Sequence, residues 1–255
     1  MPDIDILRIV DGAKERMDDR ITEEVPFTIY VNDEELLTLL CSPYDLKELT
    51  VGFLYSSGLL KSPEAIEKVT IDSRNWAGYA RLKDKEVDSR LLFKRMYTSG
   101  CGKGTLFYNA GDLAGRTKIE STQAVSSQAI LKRMNEFQAS STTYKETGGV
   151  HSAAFATPEE IVILKEDIGR HNALDKVIGH AILKGLDLSQ LLILTSGRIS
   201  SEIVLKGHKA GSAFLVSRSA PTDQAIKMAR QFHLTLIGFV RGKRMNVYSA
   251  EERVV

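Results

Sequence analysis

The sequence predicts an α+β N-terminal domain followed by an α/β three-layer domain, and three observations carry that expectation. The first half sets hairpin-like strands around one strong helix. From residue 161 onward, short apolar runs alternate with amphipathic segments of roughly three turns. Between the two, residues 115–127 are polar and without periodicity, which divides the chain into 1–120 and 121–255.

Taken in order, the runs at 26–31 (PFTIYV) and 36–41 (LLTLLC) flank Asn32-Asp33-Glu34, residues suited to a hairpin turn. Ser42 as N-cap, Pro43 at the first helical position and Asp45 three residues after Ser42 mark a helix start. Leu46, Leu49, Phe53 and Leu54 keep helical spacing, and Gly58 sits where a C-terminal cap belongs. Residues 66–71 and 76–82 read as a second hairpin. The apolar runs at 161–164, 191–194, 213–216 and 234–240 read as buried strands. Helices fall between them. The first has Leu174, Val177, Ile178, Ala181 and Ile182 on one face and ends before Gly185; the second runs 200–210 to Gly211; the third covers 221–232. Strand–helix alternation of this kind predicts a mostly parallel sheet with helices on its faces.

The bulk properties exclude several classes. A net charge of +1 gives no overall field to attract nucleic acid or an anionic membrane. No apolar run approaches the ~20 residues that span a bilayer. The N-terminal residues Met1-Pro2-Asp3-Ile4-Asp5 are acidic where a signal peptide is basic, so a cytoplasmic setting is expected. The 2 cysteines, Cys41 and Cys101, fit reduced thiols rather than a disulfide framework.

In open α/β sheets, ligands bind beyond the carboxyl ends of the strands. Here those ends carry Arg170 and His171, then Ser196 and Arg198, then Arg218, then Arg241, Lys243 and Arg244 around Gly242. Hydroxyls, helix-start amides and planar guanidinium groups suit a phosphate, so an anionic, nucleotide-like ligand is expected at that edge. The second candidate is TSGCGKGT at 98–105, a glycine-rich loop around Cys101. Lys103 and Arg95 would favour its thiolate, the reactive form. Cys41 follows Leu39-Leu40 and reads as a core residue. A lone thiolate cannot build a tetrahedral zinc site, and neither C-x-x-C nor H-x-x-x-H occurs, so no metal site is expected. Of the 5 histidines, His151 and His171 lie near candidate loops and could serve as bases, whereas His180 falls inside a helix.

These segments carry a family resemblance. LLCSPYDLKELTVGFLYSSG at 39–58, TSGCGKG at 98–104, TGGVHSAA at 147–154, EDIGRHNALDKVIG at 166–179, TSGRISSE at 195–202, SRSAPT at 217–222 and GFVRGKRMNVY at 238–248 resemble the formate dehydrogenase accessory sulfurtransferase family, FdhD. The resemblance implies that Cys101 receives sulfur as a persulfide from a cysteine desulfurase. It implies transfer to a molybdenum or tungsten bis(molybdopterin guanine dinucleotide) cofactor before insertion into formate dehydrogenase. It further implies a homodimer, a cytidine-deaminase-like C-terminal domain, and a cofactor-binding stretch at Phe239, Val240, Arg241, Gly242, Lys243 and Arg244. GDP is the expected analogue. The H-x-E and P-C-x-x-C zinc signature of the deaminases is absent, so their zinc chemistry does not carry over. Many family members have C-x-x-C in the loop, but here it reads Cys101-Gly102-Lys103-Gly104. A single-thiol carrier therefore stands beside an alternative, a cofactor-binding chaperone without sulfur transfer.

Overall fold

The protein is described from a computed structural model, which covers residues 1–60, 62–83 and 117–255, with the backbone strands Arg95–Tyr97 and Thr105–Phe107. A β-hairpin, β1 (Asp3–Val10) and β2 (Ala13–Arg20), opens the chain. It stands apart from both cores and leaves Ile4, Leu7, Ile9 and Val10 exposed.

The first compact unit joins β3 (Val25–Val31), β4 (Glu34–Cys41), β5 (Ile66–Asp72) and β6 (Ala77–Leu82) in the order β4-β3-β6-β5. Asn32 and Asp33 both take positive φ (48° and 71°), as a two-residue type I′ turn requires, so Glu34 already belongs to β4. Helix α1 (Leu46–Ser56) packs Leu46, Leu49, Phe53 and Leu54 against Phe27, Ile29, Ala80 and Leu82. Its start departs from expectation. Asp45, at φ 55°, occupies the N-cap, and Ser42 lies before the helix. Ser42 is used elsewhere: its amide donates to Asp167 Oδ2 (3.1 Å), and its hydroxyl accepts from Ile168 N (3.2 Å). Strands β7 (Arg95–Tyr97) and β8 (Thr105–Phe107) pair antiparallel on either side of residues 98–104.

The second unit contains α2 (Ser127–Ser140), α3 (Thr142–Thr147), β9 (His151–Ala156), β10 (Ile161–Asp167), α4 (Arg170–Leu183), β11 (Leu192–Thr195), α5 (Ser201–Ala210), β12 (Phe214–Ser217), α6 (Asp223–Phe232), β13 (Thr235–Arg241) and β14 (Arg244–Ser249). Its sheet runs β10-β9-β11-β12-β13-β14. All four strands expected from the apolar runs are in it, with β11 and β12 as parallel neighbours. The expected mostly parallel sheet is corrected to a mixed one. Strand β9 pairs antiparallel with β10 and β11, β14 pairs antiparallel with β13, and only β11–β12 and β12–β13 are parallel. Both strands that run against the rest have weak sequence signals, β9 because HSAAFA is alanine-rich and β14 because it is largely polar.

Side-chain alternation builds the layers. Ala153, Phe155, Ile193, Leu215 and Leu236 face α4, α5 and α6. Ala154, Ala156, Leu192, Leu194, Phe214, Val216 and Ile237 face α2 through Ile130, Met134 and Phe137. Burial on both faces explains why these strands read as unbroken apolar runs.

Helices α1 and α4 join the two units. A Cβ on Gly52 would lie 1.8 Å from Asp175 O, and one on Gly179 would lie 1.9 Å from Glu48 O, so the backbones touch there. Two buried ion pairs flank this crossing. Lys176 Nζ lies 2.7 Å from Asp167 Oδ2 with both side chains fully buried, and Lys206 Nζ lies 2.6 Å from Asp175 Oδ1. Asp167 also accepts from Gly169 N and Asn172 Nδ2, while Asn172 donates to Leu40 O. Ser56 Oγ donates to Asp175 and accepts from Lys206.

Gly179→Ala forces a methyl carbon onto a backbone carbonyl and should lower unfolding free energy by about 3 kcal/mol, the upper range for overpacking. Lys176→Met strips Asp167 of its counter-charge in the interior and should cost about 3–5 kcal/mol. Chemical denaturation with a fluorescence readout measures both. Wild-type midpoints in either variant would contradict the tight crossing or the buried pair, respectively.

Candidate functional site

Strands β10 and β11 both run antiparallel to β9, so they point the same way, and β12 and β13 run parallel to β11. The carboxyl ends of β10, β11, β12 and β13 therefore share one edge, together with the first residue of β9, His151. A cleft of about 460 Å³ opens there. Ser196, Arg218, Ser219 and Arg241 form one wall. The opposite wall comes from α2, α3 and the Gly148-Gly149 turn, with Gln138, Ser141 and Tyr144.

The local sequence fixes these positions. Ser217 Oγ donates to Gly197 O (2.6 Å) and accepts from Ser219 N (2.9 Å), which binds the turns after β11 and β12 together. Thr195 Oγ1 accepts from Gly197 N (3.3 Å). The Thr195 and Ser217 hydroxyls thus serve the turns. Arg241 Nε donates to Arg218 O (3.0 Å), and its guanidinium lies 5.9 Å from the Phe239 ring centroid, so its position is set from two sides. Phe239 has φ 53°, where the β13–β14 register shifts between Gly238 and Arg241. Across the cleft, both Glu166 carboxylate oxygens accept amides at the start of α3, from Thr143 (2.9 Å) and Tyr144 (3.0 Å).

The structure brings together some of the sequence-derived candidates and separates others. Ser196, Arg218 and Arg241 line the cleft. Val240 is buried in the core beneath, and Gly242 (φ 58°), Lys243 and Arg244 form the exposed β13–β14 turn. Arg198 is exposed on its turn and lies outside the cleft lining. Arg170 passes over Gly197, where an added Cβ would meet its side chain at 2.9 Å. His171 Nε2 lies 2.8 Å from Glu202 Oε2 at the starts of α4 and α5. His180, within α4, lies 3.6 Å from Glu48.

Residues weighed lightly in the sequence occupy central positions. His151 Nδ1 lies 3.2 Å from Ser196 Oγ, which also accepts from Ser152 N (3.0 Å). Burial, then the neighbouring Arg170 and His171, push the His151 imidazole below its ordinary range. Tyr144 and Gln138 come from helices with no motif to mark them. Much of the EDIGRHNALDK segment is occupied in structure: Asp167, Asn172, Asp175 and Lys176 hold the two units together.

Cys101, with Lys103 and Gly104, lies outside the described residues. Cys41 is fully buried, and burial followed by the Asp167 charge pushes its thiol up to about 12, as a core role requires. Among the described residues no cluster of metal-ligating side chains occurs, and no helix is long and apolar enough to cross a membrane.

Known proteins share this sequence and architecture. The chain is 41% identical over 251 residues to a sulfur carrier protein FdhD of Bacillus subtilis, covering 98% of this chain and 96% of the relative. It is 39% identical to a sulfur carrier protein FdhD of Listeria monocytogenes, covering 98% and 97%. A crystal structure described as a formate dehydrogenase accessory protein of Desulfotalea psychrophila superposes with a TM-score of 0.79 at 25% identity, covering 100% of this chain and 99% of that one. The sequence profile of the FdhD/NarQ family matches residues 22–255, leaving out only the exposed β1–β2 hairpin and its link, and the chain belongs to that family.

Proposed function

We propose that this protein is a sulfur carrier in formate dehydrogenase maturation, acting as a sulfurtransferase with Cys101 as the carrying thiol. The cleft where Ser196, Arg218 and Arg241 meet is the observation that carries this reading, because it offers a fixed anion site for a nucleotide-bearing ligand. In the loading step, the Cys101 thiolate attacks the outer sulfur of a cysteine desulfurase persulfide. The sulfur–sulfur bond of the donor breaks, the donor cysteine leaves as thiolate, and Cys101 becomes the persulfide. The substrate that receives the sulfur is a molybdenum or tungsten bis(molybdopterin guanine dinucleotide), whose phosphates would meet Arg218 and Arg241. The family likeness supports this choice, and a cytidine-deaminase-like second domain, a cytoplasmic setting and a homodimer belong to the same proposal. Gly104 favours a second reading. Without a partner thiol in the loop, the protein would shelter the cofactor as a chaperone and transfer no sulfur.

Intact-mass analysis after incubation with a cysteine desulfurase and cysteine separates the two. The carrier gains sulfur, and Cys101→Ala does not. With the Cys41 thiol buried and pushed up to about 12, alkylation at neutral pH should go to Cys101 well ahead of Cys41. Faster labelling of Cys41 would count against the carrier.

Calorimetric titration with GDP tests the cleft. Losing a charge-assisted contact to phosphate typically costs ~1.5–3 kcal/mol, so Arg218→Ala or Arg241→Ala should weaken binding about 10- to 100-fold. Arg198→Ala, outside the cleft, should weaken it less. Added salt should weaken the wild type, and Cys101→Ala should leave affinity unchanged. No GDP binding by wild type, or no loss in either cleft variant, would remove the physical support for a nucleotide-bearing ligand.

A further inference from the structure

At the base of the cleft, His151 opens strand β9 and is half-buried beside Ser196. Ser196 Oγ accepts from Ser152 N and still has a donor proton and a second lone pair, so it can pair with His151 Nδ1 in either imidazole tautomer. Among the described residues no protein partner takes Nε2. The imidazole is thus anchored through one nitrogen and offers the other to whatever occupies the cleft. We propose that His151 is a proton-linked ligand residue of the cleft, neutral when the cleft is free and protonated when a phosphate lies between Arg218 and Arg241.

The surrounding charges give the sign. Arg170 and His171 approach from the start of α4, and Arg218 and Arg241 from the turns after β12 and β13. Asp167, at the end of β10, opposes them, but it is already matched by Lys176. Glu166, one residue earlier, is engaged by the α3 amides. Burial, then Arg170 and His171, disfavour the imidazolium form of His151 in the free protein. A bound phosphate reverses the local field and favours imidazolium. A group whose affinity for protons rises on binding takes up protons, and binding tightens as pH falls through the interval between its free and bound values. This inference rests on the cleft as an anion site, as proposed above, and adds the group that senses whether the anion is present.

GDP is the probe, titrated by calorimetry into the full chain in buffers of different ionisation enthalpy. The wild type should take up a fraction of a proton more than His151→Asn, the ligand's own protonation being common to both. Between about pH 8 and pH 6, the gain in wild-type affinity should exceed that of the variant by about 3- to 10-fold, within the limit of tenfold per pH unit for one linked proton. Imidazole titration by NMR on wild-type protein reads the same event without a substitution, and GDP should move the His151 midpoint upward. Equal proton uptake in the two proteins, or an unmoved midpoint with GDP bound, overturns the role of His151 and leaves the cleft reading standing. No GDP binding by wild type overturns both.

Discussion

The fully buried pair of Asp167 and Lys176 is the contact on which the arrangement of this molecule depends. Two charges removed from water are tolerable only with nearly complete hydrogen bonding, and the pair has it. Asp167 receives the amides of Ser42 and Gly169 and the side chain of Asn172, and Lys176 adds the carbonyls of Ser42 and Glu166. These partners come from the segment between β4 and α1, from the end of β10 and from α4. One ion pair therefore specifies where the smaller sheet sits against the larger one. An apolar substitute of equal volume would fill the space but would not select this orientation.

The same segment reaches the candidate site. Glu166 fixes the start of α3 and so one wall of the cleft, while Asp167, the next residue, anchors the other unit. Ile168 lines the cleft, and Arg170 packs against Gly197 in the turn that carries Ser196. Adjacent residues thus face the ligand edge and the interior alternately, as a strand end entering a helix allows. The cleft itself follows from strand direction: four strands pointing the same way deliver their carboxyl-end turns to one place, and backbone amides and arginines collect there.

The sequence made some of this legible, for identifiable reasons. Runs such as LLIL at 191–194 and AFLV at 213–216 announce strands buried on two faces. Asn32-Asp33 announces a turn because both residues tolerate positive φ. The cleft arginines 218 and 241 were readable as strand-end residues, whereas Arg198 shows that the same reading cannot tell which way a turn presents its side chain. Strand β9 was hidden because its small residues lack β-branched bulk, and with it the mixed sheet and the placement of His151. Ser42 matched a capping pattern, but the long-range demand of Asp167 outweighed the local one. Helix α4 carried an unused signal. Beside the apolar stripe at Leu174, Val177, Ile178 and Ala181 runs a second at Asn172, Asp175, Lys176 and Gly179, with the same helical spacing. All four of its members are buried against α1 and its approach. Two stripes on one helix mean two neighbours.

The crossing of α1 over α4 at Gly52 and Gly179 has a consequence for motion. Where backbones touch, no interdigitated side chains resist a rolling or pivoting movement, so the crossing by itself would make a smooth hinge. The Asp167–Lys176 and Asp175–Lys206 pairs lie to either side of it and act as bolts. Swinging one unit on the other would expose or separate buried charges on both sides at once. Small rotations are therefore suppressed, and the two units part only in a rare, cooperative opening in which the amides of α1 and α4 lose protection together.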